Sequence, residues 1–168
     1  MSPKQITILG IGCTLLSDQG FGISMVEALK ERFEFPDNVH LVDGGLVGVG
    51  MTGTIARADH LIVIDAISDN GAPGDLYRLE GRQVLERLKK KNHVHQVEFL
   101  EALAHCQALE TPPHAVLLGI EPEDTQTLAC TLTPILKGKI EAMTLRVLDE
   151  LARLGINYRE KGKSTACV

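Results

Sequence analysis

Six side chains in this sequence have the types and the settings that chemistry needs: Asp65, Asp18, Gln19, His93, His95 and Cys13. Asp65 directly follows the apolar run at 60–64, HLIVI. A carboxylate there stands at the carboxyl edge of a sheet, where open α/β proteins bind their ligands. It then serves as a metal ligand or an acid/base, or more plainly as a helix cap or turn aspartate. The shared crevice with the first loop favours the chemical role. His93 and His95 share one short polar segment, either as solvated loop histidines or as ligands, since imidazole suits a borderline transition metal. Asp65, one histidine and a residue of the Asp18-Gln19 pair would make a three-point oxygen and nitrogen site, although no HExxH motif accompanies them. Asp18 is either a further ligand or the cap of the helix that begins near Gly22. Gln19 offers a neutral carbonyl oxygen or an amide. Cys13 would be a nucleophile only if a base such as His95 met it, and nothing in the spacing brings the two together.

The elements that must position these residues begin with 6–22, ITILGIGCTLLSDQGFG. Its first half reads as a buried strand at 6–11. Gly10, Gly12, Gly20 and Gly22 bracket a polar loop, and Ile23, Val26, Leu29 and Phe33 then line one helical stripe over 22–34. Pro36 ends that helix. Strands are expected at 39–42, 60–64, 76–79 (near an edge) and 115–120. A loop leading into a short helix through Met51, Ile55 and Ala58 is expected within 46–58, and a turn at 70–74. Residues 81–91 read as a short helix or a mobile surface segment, and 97–109 as a helix preceded by His95. The acidic loop 121–124 follows the last strand. Thr133-Pro134 opens the final helix, which runs to about Leu154 and stops at Gly155. Apolar strands alternating with helices imply helices on both faces of a largely parallel sheet. The expected organisation is one α/β domain over 1–158 and a flexible tail over 159–168.

Bulk properties narrow the function classes. The chain has 168 residues, 44% of them hydrophobic, and a formal net charge of -5. That is one domain of ordinary size with enough chain for a full core. The acidic balance argues against a general nucleic-acid binder, and no apolar run is long enough to span a bilayer. The start, MSPKQITI, carries no signal-peptide h-region, so the expected location is cytoplasmic. Cys13, Cys106, Cys130 and Cys167 form no CxxC pair and read as free thiols. A dinucleotide fingerprint fails, because Leu15 stands at the third glycine position. Asp43 also lies 31 residues beyond Gly12, not about 20. A P-loop is excluded by the lack of Gly-Lys-Ser/Thr.

Taken in order, GIGCTLLSDQGFG, LVDGG, LIVIDAI, APGDLYRL, HVHQVEFLEAL, LLGIEPE and LTP resemble the hydrogenase maturation proteases over about residues 5–155. The resemblance implies a three-layer α/β/α fold with a twisted, mostly parallel five-stranded sheet. It implies a monomeric endopeptidase whose partner is the large-subunit precursor of a nickel–iron hydrogenase; from the acidic balance and the lack of a long apolar run, no nucleic acid or membrane partner is expected. The nickel would arrive in that substrate and would not be a permanent cofactor of the protease. The cleaved piece would be a short C-terminal extension. It further implies that nickel is met at Gln19, Asp65 and His95. Two mechanisms stay open: the nickel polarises the scissile carbonyl or a water, or it serves only as a docking signal while Asp65, or Asp18 next to Gln19, assists the water as general base. The chain departs from the family pattern at two positions. Cys13 stands where asparagine is usual, and Gln19 stands where an acid is usual. The second departure keeps a rival in view, a non-catalytic precursor-binding chaperone or checkpoint protein.

Overall fold

The computed structural model describes residues 3–45, 51–89, 103 and 112–162. In chain order the elements are β1 (Ile6–Ile11), a 3-10 turn (Ser17–Gly20), α1 (Phe21–Arg32), β2 (Phe33–Glu34), β3 (Val39–Gly45), α2 (Thr52–Ala56), β4 (His60–Ala66) and β5 (Leu76–Glu80). There follow α3 (Arg82–Lys89), β6 (His114–Ile120), α4 (Pro134–Lys137), α5 (Ile140–Arg153) and β7 (Arg159–Glu160).

Five strands form one sheet in the order β3-β1-β4-β6-β5. The first four are parallel, and β5 lies antiparallel on the β6 edge. Alternation along the strands divides the core in two. Ile6, Ile8, Ile62, Ile64, Val116, Leu118 and Ile120 pack with Phe21, Met25 and Leu29 of α1 and with Met143, Val147 and Leu151 of α5. Leu9, Ile11, Leu61, Val63, Ala115 and Leu117 pack with Ile55 of α2, Val84 of α3 and Leu103. Side chains two apart along a strand share a face, so strands apolar at every position must be covered on both. The three-layer, mostly parallel α/β/α architecture is therefore the one expected.

After β1 the chain moves outward to β3 and then returns to the other side of β1 for β4. The direction of winding reverses between β1 and β4, the place where open α/β sheets bind ligands outside the carboxyl ends of their strands.

Several boundaries differ from the sequence reading. β4 continues through Ala66, so Asp65 lies inside the strand, paired in register with Gly119. The final helix is two helices. Thr133 caps α4 by accepting from Leu136 N–H, the chain bends at Gly138, and α5 starts afresh at Ile140. Within 81–91, Arg82–Lys89 form the helix α3; residues 90–91 lie outside the described residues. The start of the expected tail is tied down. β7 pairs antiparallel with β2, Arg159 forms an ion pair with Glu34, and Lys161 N–H donates to Arg32 O at 2.7 Å. Of the expected helix at 97–109 only Leu103 is described, helical and buried; the rest of it, with Cys106, and residues 163–168, with Cys167, lie outside the described residues.

Candidate active site

The glycines of the first loop seat α1 directly on the sheet. A Cβ at Gly22 would stand 2.3 Å from Ile64 O and 2.4 Å from Ile11 O, and one at Gly10 would stand 2.2 Å from Gly22 O. The helix start therefore touches the backbones of β1 and β4 at their carboxyl ends. Gly12 has φ 141. A Cβ there would stand 1.8 Å from Gln19 O, which lets the loop fold back so that Cys13 N–H donates to that same carbonyl at 3.1 Å. The 3-10 turn Ser17–Gly20 is thereby packed against β4.

The loop is anchored a second time, to the chain after β6. Ser17 takes φ 46, in the left-handed region that costs a side-chain-bearing residue on the order of 1–2 kcal/mol. Its N–H donates to Ala129 O at 2.8 Å and its hydroxyl to Thr131 O at 3.2 Å, which offsets that cost. Asp18 is fully buried. Its Oδ2 accepts from Glu123 N–H and Asp124 N–H, each at 2.9 Å, and from the Thr133 hydroxyl at 3.1 Å. Its Oδ1 accepts from Thr133 N–H at 2.8 Å. Both oxygens are thus engaged and shielded from solvent. The N-cap of α1 is Gly20, with no side-chain bond, which corrects the expected cap role of Asp18. The carboxylate instead closes the loop 121–133 onto the 3-10 turn, and backbone N–H groups are its natural partners in a buried setting.

Gln19, next in the turn, is half-buried, and its Nε2 donates to Thr125 O at 2.9 Å. Asp65 is buried, near the carboxyl end of β4. Strand parity sets it on the face of Leu61 and Val63, the side covered by α2, α3 and Leu103. Both residues have further interactions. The fold thus brings the Gln19 turn and the Asp65 strand end to the same carboxyl edge, with Gly22 fixing how closely they approach. His95 and His93 lie outside the described residues. Cys13 is a half-buried free thiol in the same loop. Asp43, at the end of β3, closes its own turn by accepting from Gly45 N–H at 2.9 Å.

Sequence reasoning missed a second cluster at this edge. Glu121, which follows β6, is buried. Its Oε2 accepts from Tyr77 Oη at 2.7 Å and from Asp69 N–H at 2.6 Å. Burial, then the bond to the Glu121 carboxylate, pushes the Tyr77 phenol up to about 12. Arg87 of α3 pairs with Asp69 and donates to Ser68 O. The segment leaving β4 beyond Asp65 is therefore held from both sides. The available signal was weak: a glutamate directly after an apolar strand, the same arrangement that singled out Asp65. Among the described residues no group of three or more His, Cys, Asp or Glu side chains is placed to hold a metal ion, and no helix is long and apolar enough to cross a membrane.

A doubly covered, mostly parallel α/β sheet, with an acid and an amide at the carboxyl ends flanking its switch point, defines the class: an open α/β protein of the kind that binds ligands at that edge. The comparisons narrow the class. The family model described as "Hydrogenase maturation protease" matches residues 23–150. The "Hydrogenase expression/formation protein HupD" of Thiocapsa roseopersicina is 36% identical over 98% of this chain and 75% of its own length. The "Hydrogenase 2 maturation protease" of Escherichia coli is 35% identical over 90% of this chain and 93% of its own. The structure of the hydrogenase maturating endopeptidase HybD from E. coli superimposes with a TM-score of 0.90 at 33% identity, covering 95% of this chain and 99% of that one. The chain belongs to the hydrogenase maturation protease family, and with it to the peptide-bond hydrolases.

Proposed function

We propose that this protein is the endopeptidase that removes the C-terminal extension from a nickel-loaded nickel–iron hydrogenase large-subunit precursor. The observation that supports this reading is the packing of the turn that carries Gln19 against β4, whose carboxyl end carries Asp65, in a chain of this family.

In the proposed reaction the substrate brings its nickel to Asp65, Gln19 and His95. A divalent ion there polarises a carbonyl or a water, and docking it fixes the scissile peptide over the crevice. Asp65 supplies the charge of the contact and takes a proton from the attacking water. The water oxygen adds to the scissile carbonyl carbon, the C–N bond breaks, and the proton passes to the leaving amine. Asp18, with both oxygens bonded, has the part of positioning Gln19.

The test is cleavage of purified precursor, nickel-loaded and nickel-free, followed by the mass of the products. The loaded form is expected to lose its extension and the free form to stay intact. Asp65→Asn keeps the shape and removes the charge, so it should lower the rate by about 100-fold or more. Cleavage of both precursor forms at one rate, or normal turnover by Asp65→Asn, would overturn the assignment. Precursor bound without any cleavage would instead establish the chaperone reading.

A further inference from the structure

The candidate site borders an isolated β-bridge whose outer side the fold leaves open. The chain at 15–17 runs parallel to the chain at 128–130, joined by the bridge between Leu16 and Ala129. Ala129 directs both main-chain groups inward. Its N–H donates to Leu15 O at 3.1 Å, and its carbonyl accepts from Ser17 N–H at 2.8 Å. In an extended chain the groups of the neighbouring residue point the opposite way. Accordingly, Leu128 N–H and C=O have no bonded partner among the described residues. The bridge register also places Leu128 beside Leu15, and these side chains are 82% and 59% exposed.

Open edges are normally blunted by charge, proline or cover. The sequence at 126–131, QTLACT, has neither a charge nor a proline. An unpaired strand edge flanked by exposed leucines has what strand addition by a peptide requires: main-chain groups for affinity and apolar side chains for register.

Resting on the proposed function, we infer that this edge receives, in extended conformation, the stretch of precursor chain that adjoins the scissile bond. The edge is rigidly continuous with the site. Ser17 opens the turn that carries Gln19, the Asp18 carboxylate binds the 123–133 segment at three residues, and Gln19 Nε2 reaches Thr125 O. A chain added along 128–130 is thus held at a fixed distance from Gln19. An extended peptide also presents its carbonyls free of intrachain hydrogen bonds, the form open to attack by water.

The experiment is steady-state cleavage of nickel-loaded precursor by the Leu15→Ser/Leu128→Ser variant. KM should rise about tenfold, with kcat within about twofold, because two apolar contacts are lost on binding only. The melting temperature should be unchanged, since both side chains are exposed in the free protein. Cys130, an exposed thiol beside the edge, gives a second readout. Saturating precursor, held uncleaved by the Asp65→Asn variant, should slow its alkylation several-fold, read by peptide mass spectrometry. If the wild type cleaves the precursor but the double variant keeps the wild-type KM and Cys130 stays unprotected, the inference falls and the proposed function stands. If the wild type cleaves no precursor, both fall.

Discussion

Removing the Asp18 carboxylate leaves the N–H groups of Glu123, Asp124 and Thr133 without their acceptor. Buried unpaired donors are expensive, and Asp18→Ala should cost about 3 kcal/mol in denaturant unfolding. Cleavage should fall with it, because Gln19 loses its platform. Asp18→Asn retains an acceptor for one side only and should fall between. A loss of kcat with wild-type stability in either variant would mean that Asp18 takes part in the chemistry. Gln19 makes the complementary case. Its amide N–H bonds Thr125 O, and a carboxylate would be repelled from that carbonyl and turned outward. Gln19→Glu should therefore bind nickel-loaded precursor several-fold more tightly than wild type, since a carboxylate is a better ligand for a divalent ion than a neutral amide. Metal-free precursor should show no gain. Equal binding isotherms for both precursor forms would remove Gln19 from the nickel contact.

At the scale of elements, the anchoring of β4 gives a pH dependence. Tyr77 of β5 donates to Glu121, and its phenol is raised from 10.0 to about 12 by burial first and this bond second. The unfolded phenol ionises near its ordinary value while the folded one stays protonated. The contribution of the bond is thus fully present below pH 10.0 and is lost as pH rises toward about 12. Unfolding free energies measured across that window should fall for the wild type and stay flatter for Tyr77→Phe; parallel curves would separate Tyr77 from the effect.

The elements also show why part of the site was legible and part was not. Ile6–Ile11 and its flanking glycines stand out because a buried parallel strand is apolar at every position. Asp65 stands out because a carboxylate breaks such a run. The glycine-rich loop reads as bordering a ligand, yet Gly10 and Gly22 serve the close seating of α1 on β1 and β4. Spacing cannot distinguish those two uses. Asp18 looked like a ligand because its partners, at 123–133, are more than a hundred positions away. The break at Gly138 escaped notice because the apolar period of α5 is almost in phase with α4.

Across the whole molecule, the two ends of the sheet have separate work. The carboxyl edge carries the candidate site. Toward the amino edge, a 210 Å³ cavity is lined by His60, His114, Arg78, Glu80 and Glu150, and ion pairs fasten β5 to α5. Arg78 Nε donates to Glu150 Oε1 at 2.6 Å and its Nη2 to Oε2 at 3.0 Å, while Nη1 reaches Glu80 at 2.7 Å. Glu150 is 8% exposed as a side chain, so taking away the guanidinium strands a buried carboxylate. Arg153 approaches it only at 3.5 Å. Loss of one partner from a buried pair costs about 3–5 kcal/mol. Arg78→Leu should therefore lower the melting temperature by roughly 10 °C, at about 2–4 °C per kcal/mol for a chain of this size. Well below that temperature, its kcat and KM on nickel-loaded precursor should match the wild type, because no residue of the cavity reaches the carboxyl edge. Differential scanning calorimetry and cleavage kinetics on the same preparation decide it. A folded Arg78→Leu protein with impaired kcat would mean that the two ends of the sheet are coupled, and that the charged network belongs to the machinery of cleavage.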